Sequence, residues 1–360
     1  QATPDNPKVR EGAIQNATFD VIGDFWGWQG TAFGAGGTKS TCAEHYEKNY
    51  NTYQDINVEL PIGIYRVAVK GFYRSGGTDT DWTTKDDPAS RHAKLYAVSG
   101  EDSLYTGIPA LSQCASPSSV EGAAQQVQYS GMYLPNSMAD FTVYKEAGLV
   151  PEVYVLVPVN NGKLRIGLVK ETKLGTDWTI VDDFTLEYYG STLAAYELYR
   201  DQVLASYPVP EETVADGALY KESYLTAYTE AYNALAAATD AATISSASTK
   251  LAPALDALNA NVKAYQDYQA AVATAEEYLG NNGEQLNQEA DTVIYLSEYI
   301  AGAYAPGEDY PFPDGAYLYI IGGEEPGACT LETEQVNEEI AYVHALHQGA
   351  AKATMEGGDV

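Results

Sequence analysis

The sequence predicts a multi-domain β + α chain: an antiparallel β-sandwich over residues 12–190, followed by an all-α helical bundle. Three observations carry that reading. Alternation with period two runs through two separated segments. Tyr65, Val67, Val69 and Gly71 oppose Ile64, Arg66, Ala68 and Lys70 near the end of Glu44–Arg74, and Ile180, Phe184, Leu186 and Tyr188 alternate within Trp178–Gly190. Turn clusters punctuate the same region at Gly34–Gly37, Ser75–Asp81, Ser116–Ser119 and Asn160–Gly162 without helical periods between them. At Gly190 the composition then turns to Ala, Tyr and Leu, with apolar residues every three or four positions.

Taken in order, residues 1–11 form a polar leader. A chain that starts at Gln without Met is expected to have lost a processed segment or to have been trimmed. Within the β region the clearest hairpin is expected at Tyr154–Val159 and Lys163–Val169, because Asn160, Asn161 and Gly162 tolerate the positive φ of a tight turn. In the helical region, Tyr220, Tyr224, Tyr228 and Tyr232 fall on one helix face, and Leu251, Leu255, Leu258, Val262 and Tyr265 form a seam. Helices are expected near 191–205, 217–238, 246–279 and 285–301, with the bundle domain spanning 191–301. Residues 302–328 are rich in Pro, Gly and Tyr and cannot continue a helix. Residues 329–360 hold a last helix from Glu332 to about Met355, which completes or extends the bundle.

Charge narrows the partners. The chain of 360 residues carries a net charge of −30. Residues 1–190 hold 23 acidic and 15 basic side chains, net −8, and residues 191–360 hold 27 and 5, net −22. Such acidity disfavours phosphate backbones and anionic lipid, so no nucleic-acid partner is expected. No apolar run approaches the length of about 20 residues that crosses a bilayer. Cys42 and Cys114 both fall in the β region, leaving a single disulfide or buried free thiols as the alternatives, and no CxxC pair accompanies Cys329.

A sugar presents apolar C–H faces and outward hydroxyls, so its site needs aromatic platforms beside planar hydrogen-bonding groups. Trp26 and Trp28, two apart, would share one face of a strand. Tyr73 and Arg74 end a strand, a polar loop with Trp82 follows, and His92 comes soon after. Asp182 and Asp183 sit among apolar strand residues. By alternation Asp182 shares the face of Ile180 and Phe184, where a carboxylate needs a cation, a cap or a metal. Catalytic signatures are missing: there is no HExxH, no GxSxG and no P-loop, since GGTKST at 36–41 lacks the required spacing.

With its opening NATFD at Asn16–Asp20 and the two alternating segments, the β region resembles the galactose-binding-like jelly-roll carbohydrate-binding modules of bacterial surface proteins. The helical part looks like the spacer bundles that accompany such modules. The resemblance implies a non-catalytic secreted, cell-surface or periplasmic protein that binds a glycan. Its binding residues would be Trp82, Arg74 and Tyr73, with Trp26, Trp28 and His92 nearby. It also implies a structural Ca²⁺ at Asp20 with Asp182 or Asp183, against the alternative of a capped carboxylate without metal. Two other readings stay open: an adhesion or assembly protein that docks a protein partner, and the accessory region of a larger glycan-degrading enzyme.

Overall fold

The computed structural model describes residues 1–21, 24–34, 41–301 and 329–354. The 302–328 segment lies outside them, as does most of the Gly34–Gly37 turn and of the GGTKST stretch. The chain divides into two compact units, residues 1–207 with 238–249, and residues 208–237 with 250–360.

The first unit is built on two antiparallel sheets. One runs β1 (Lys8–Val9), β12 (Trp178–Gly190), β5 (Gly63–Arg74) and β10 (Glu152–Val159), with β3 (Ala43–Tyr46) also paired to β12. The other runs β2 (Gln29–Gly30), β4 (Tyr50–Asp55), β11 (Arg165–Lys170), β6 (Lys94–Ser99) and β7 (Asp102–Gly107). β10 of the first sheet packs on β6 and β7 of the second. A short pair, β8 (Val127–Tyr129) and β9 (Met132–Leu134), lies apart.

The expected hairpin is not one. β10 pairs with β5 in the first sheet, whereas β11 pairs with β4 and β6 in the second. Asn160–Gly162 therefore carries the chain from one sheet to the other, with Gly162 at φ +73. Turn chemistry predicts a reversal of direction; it does not choose the partner strand.

A β-bulge explains a second departure. Asp182 pairs with Lys70 but Thr185 pairs with Ala68, with Asp183 at φ +54 between them. One extra residue reverses the facing of everything that follows. Trp178, Ile180 and Asp182 thus share the face of Arg74, Phe72 and Lys70. Phe184, Leu186 and Tyr188 turn to the opposite face, where Tyr188 meets Tyr65 with ring centroids 5.0 Å apart.

Helix α1 (Thr78–Thr84) occupies the stretch expected as a polar loop. Helix α2 (Met138–Glu146) lies over the first sheet, packing Phe141 and Met138 against Phe72, Trp178 and Ile180. Cys42 and Cys114 are buried free thiols in this same cluster. Burial pushes the Cys42 thiol up to about 12, with the charge of Asp182 adding to it, so it behaves as a small apolar residue.

The compact unit reaches past residue 190, where the sequence placed its boundary. Helix α3 (Leu193–Ser206) packs on β10, and its Gln202 side chain accepts from the Leu156 amide (2.6 Å) and donates to the Tyr154 carbonyl (3.0 Å). That amide covers the open edge of β10. After α4 (Glu222–Ala237) of the second unit, a further helix α5 (Ala241–Ser248) belongs to the first unit. Its Ser248 hydroxyl donates to the buried Asp102 (3.3 Å).

The second unit consists of α4, α6 (Leu251–Asn282), α7 (Asp291–Ile300) and α8 (Thr333–Lys352) among the described residues. Leu251, Leu258 and Tyr265 of the expected seam are buried, with Leu255 and Val262 half-buried. Of the Tyr stripe, Tyr228 is fully buried and its hydroxyl donates to the Pro208 carbonyl (2.6 Å). Asn261, also buried, accepts from the Lys221 amide and donates to Leu331 O and Thr333 Oγ1, tying the start of α8 to α6.

Inside this unit the Tyr268 and Tyr299 hydroxyls lie 2.7 Å apart, and Tyr299 donates to Glu339 Oε2. Glu339 Oε1 has no hydrogen-bond partner. Burial raises Glu339 from 4.5 to about 7, against the pull of the Tyr299 bond and with help from Glu338. Folded Glu339 therefore holds its proton where the unfolded chain has lost it. Its contribution to stability is present below pH 4.5 and is lost as pH rises through about 7. Glu339→Gln keeps the donor and acceptor without the titration. The melting temperature of wild type relative to this variant should fall steadily across that window, and a pH-independent difference would contradict the assignment.

Candidate functional site

The β3–β12–β5 register builds a cleft on the face that α2 only partly covers. Trp178 pairs with Tyr46 on one side and Arg74 on the other, so three large side chains form a row across adjacent strands. Glu44 stands two residues from Tyr46 on the same face. The N-terminal turn of α2 closes the far side through Asn136, Ser137 and Met138. The opening holds about 530 Å³.

Each member is held by its neighbours. Trp178 is 5% exposed, and its Nε1 donates to Glu44 Oε2 (2.7 Å). Arg74 is 9% exposed: Nε donates to Gly76 O (2.9 Å), one Nη to Thr176 O (2.7 Å), and the other reaches Asn136 Oδ1 (3.5 Å). Its guanidinium carbon lies 5.4 Å from the centre of the Trp178 ring. Burial works against the Arg74 charge and lowers its pKa from the ordinary value. Tyr46, at 48% exposed, offers its ring to solvent. A buried aromatic, an exposed one, a carboxylate, a guanidinium and an amide thus converge on one opening.

Supporting ion pairs fix the strand end behind it. Asp81 of α1, 1% exposed, pairs with Arg91 (3.2 Å) and accepts the Ser75 amide (3.1 Å), and Arg91 donates to the Tyr73 carbonyl (2.9 Å). Between the sheets, Lys170 pairs with Asp177, which also accepts from the Tyr73 hydroxyl (2.9 Å). His45 stacks on Tyr50 with centroids 3.9 Å apart, and burial, then the charges of Lys48 and Lys170, lower it to about 3.

Of the residues singled out from sequence, Arg74 lines this cleft. Tyr73 is buried between the sheets, on the opposite face from Arg74. His92 is half-buried and meets Tyr73 edge-on at 6.2 Å. Trp82 is half-buried on α1, packed edge-on against Tyr129 (5.7 Å) with Lys85 over its ring (4.4 Å). Trp26 and Trp28 do not share a strand face, because Gly27 at φ +87 turns the chain between them. Trp26 is 49% exposed, while Trp28 packs on Phe184 (4.7 Å) and donates to Asn16 O (3.2 Å).

The acids expected to hold Ca²⁺ do not fit it. Lys145 of α2 stands against both Asp182 and Asp183, and Lys70 is 3.3 Å from Asp183. Asp20 is exposed and accepts from Thr18 (2.5 Å). Among the described residues no group of three or more His, Cys, Asp or Glu side chains could hold a metal ion. An ammonium thus supplies the positive charge that the resemblance assigns to calcium. Desolvation pushes Asp182 up to about 6 against the Lys145 bond. Desolvation also works against the Lys145 ammonium, but the bond and charge of Asp182 outweigh it and raise its pKa.

Tyr46, Glu44, Trp178 and Asn136 were not chosen from sequence. Glu44 and Tyr46 alternate on one short strand and Trp178 lies two residues before Ile180, but only the register brings them together. Two other clefts, one lined by Lys85, Asp87, Arg91 and Lys94 and one by Thr3, Asp5, Glu197 and Arg200, have no aromatic wall.

No protein-family model matches the chain, and no curated protein matches it. Among solved structures it is similar to the carbohydrate-binding module TmCBM61 in complex with β-1,4-galactotriose, at 16% identity over 48% of this chain and 96% of that one, with a TM-score of 0.26. It is similar to the CBM36-1 domain of a multidomain xylanase from the hindgut metagenome of Trinervitermes trinervoides, at 11% identity, 49% and 96% coverage and a TM-score of 0.24. A Stig cyclase, Fisc from Fischerella sp. TAU, is similar at 10% identity, 52% and 100% coverage and the same TM-score of 0.24. Similarity of this degree leaves the cleft's own residues to say what it binds.

Proposed function

We propose that the β-rich unit binds a glycan in the Tyr46–Trp178–Arg74 cleft without modifying it. The helical unit then serves as a spacer or docking element of a secreted or surface protein. The observation that supports this reading is the exposed Tyr46 ring beside a buried Trp and Arg, with Glu44 and Asn136 at the same opening. The ring offers a platform for sugar C–H groups, and the planar polar groups offer partners for hydroxyls. In this reading Glu44, the acid in the described lining, serves as a hydrogen-bonding partner and is itself bonded to Trp178.

A glycan array and affinity gels run with the full chain test this reading. Retention on at least one plant, host or microbial polysaccharide, competed by the free oligosaccharide, is the expected result. Silence across all three classes would overturn it and turn the search to protein partners.

A further inference from the structure

Among the described residues of the first unit two cations are buried, Lys170 and Arg74, and Lys170 pairs with Asp177. Half-buried Arg91, Lys145 and Arg66 also stand against acids: Asp81, Asp182, and Glu152 with Glu187. Arg74 does not. At 9% exposure it forms no ion pair among the described residues, and its donors meet two carbonyl oxygens and one side-chain amide oxygen. Carbonyl dipoles satisfy hydrogen bonds but do not cancel a full charge. Glu44, the acid at the same cleft, has Oε2 bonded to Trp178 and forms no ion pair with Arg74.

The cleft's other wall has the same polarity. Ser137 caps α2 by accepting from the Asp140 amide (3.0 Å), and the first two residues of the helix, Met138 and Ala139, line the opening. Amides at these positions lack partners within the helix and mark its positive end. Asp140, the acid of this turn, is buried with its oxygens on the Gln125 and Asn136 amides (3.1 and 3.2 Å).

We infer that the ligand is an acidic glycan, whose sugar carboxylate sits between Arg74 and the first turn of α2 while its ring rests on Tyr46. This rests on the glycan reading above. A carboxylate is the planar acceptor that a guanidinium recognises best, and its geometry differs from that of a neutral hydroxyl. The net charge of −30 repels anions at long range, but that repulsion is screened beyond about 8 Å at physiological ionic strength.

Calorimetric titration of the full chain tests the inference with trigalacturonate against its methyl ester, and sialyllactose against lactose. In at least one pair the acid should bind about tenfold or more tightly than its neutral partner. Arg74→Gln, checked for folding by its melting curve, should shrink that ratio to about twofold. Should the variant not fold, the wild-type acid-to-neutral ratio still decides. Equal or tighter binding of the neutral partner in both pairs would overturn the acidic assignment and leave the glycan reading standing. Failure of all four probes, together with silence on the array, would remove both.

Discussion

Lys170→Met is expected to destabilise the first unit by about 3–5 kcal/mol, which is a large share of the stability of a typical domain. Lys170 and Asp177 are 3% and 0% exposed, so removing the ammonium leaves a carboxylate without water or counter-charge. Asp177 Oδ1 already has no hydrogen-bond partner, and only the Tyr73 hydroxyl would remain on Oδ2. Chemical denaturation of the single variant and of Lys170→Met/Asp177→Asn separates charge from packing. The double variant removes the charge and keeps an acceptor for Tyr73, so most of the loss should return. Equal losses in the two would contradict the account, because they would show that the uncompensated charge of Asp177 is not what costs stability.

Lys145→Met is expected to lower stability by about 3 kcal/mol, and to do so in a pH-dependent way. Asp182 is fully buried, and Asp183 beside it donates its amide to Asp182 Oδ1 (2.7 Å). Without Lys145, Asp182 faces a neighbouring like charge in a desolvated site, so its pKa rises further above about 6. A raised carboxyl pKa means that the folded variant regains stability as pH falls and protons bind. The gap between variant and wild type should therefore narrow from pH 7.5 to pH 5. A gap that stays constant would contradict the ion pair. Wild-type melts in calcium and in chelator should coincide, because Lys145 already stands between the two acids. A calcium-dependent rise would reinstate the metal.

Although α1 and α2 inside the β region were missed, the long strands and the helices beyond residue 190 were legible in the sequence, because local periodicity reports which face of an element is apolar. Their pairing was not. The segments Glu44–Arg74 and Trp178–Gly190 signalled β structure, yet the cleft comes from the register between their ends. Tyr46 and Trp178 are distant in sequence and neighbours only across β3 and β12. The bulge at Asp183 breaks the alternation that placed Phe184 beside Asp182, and nothing in Asp-Asp announces an extra residue. Trp82 looked like a loop platform because Gly, Thr and Asp surround it. Acids in a first turn also favour a helix start, and Asp79 and Asp81 open α1. Arg74 was visible as a polar residue ending an apolar strand. Its unpaired charge became visible only once the acids had been assigned to other cations.

The central claim is that ligand rests on the Tyr46–Trp178–Arg74 row, and it is tested most directly by the affinities of Tyr46→Ala and Trp82→Ala for a glycan retained by the wild type. Tyr46 is 48% exposed, so its loss should leave the melting temperature nearly unchanged. Binding should weaken by about tenfold or more in Tyr46→Ala and stay within about twofold in a folded Trp82→Ala. Full affinity in Tyr46→Ala with loss in a folded Trp82→Ala would contradict the account and move the site to α1.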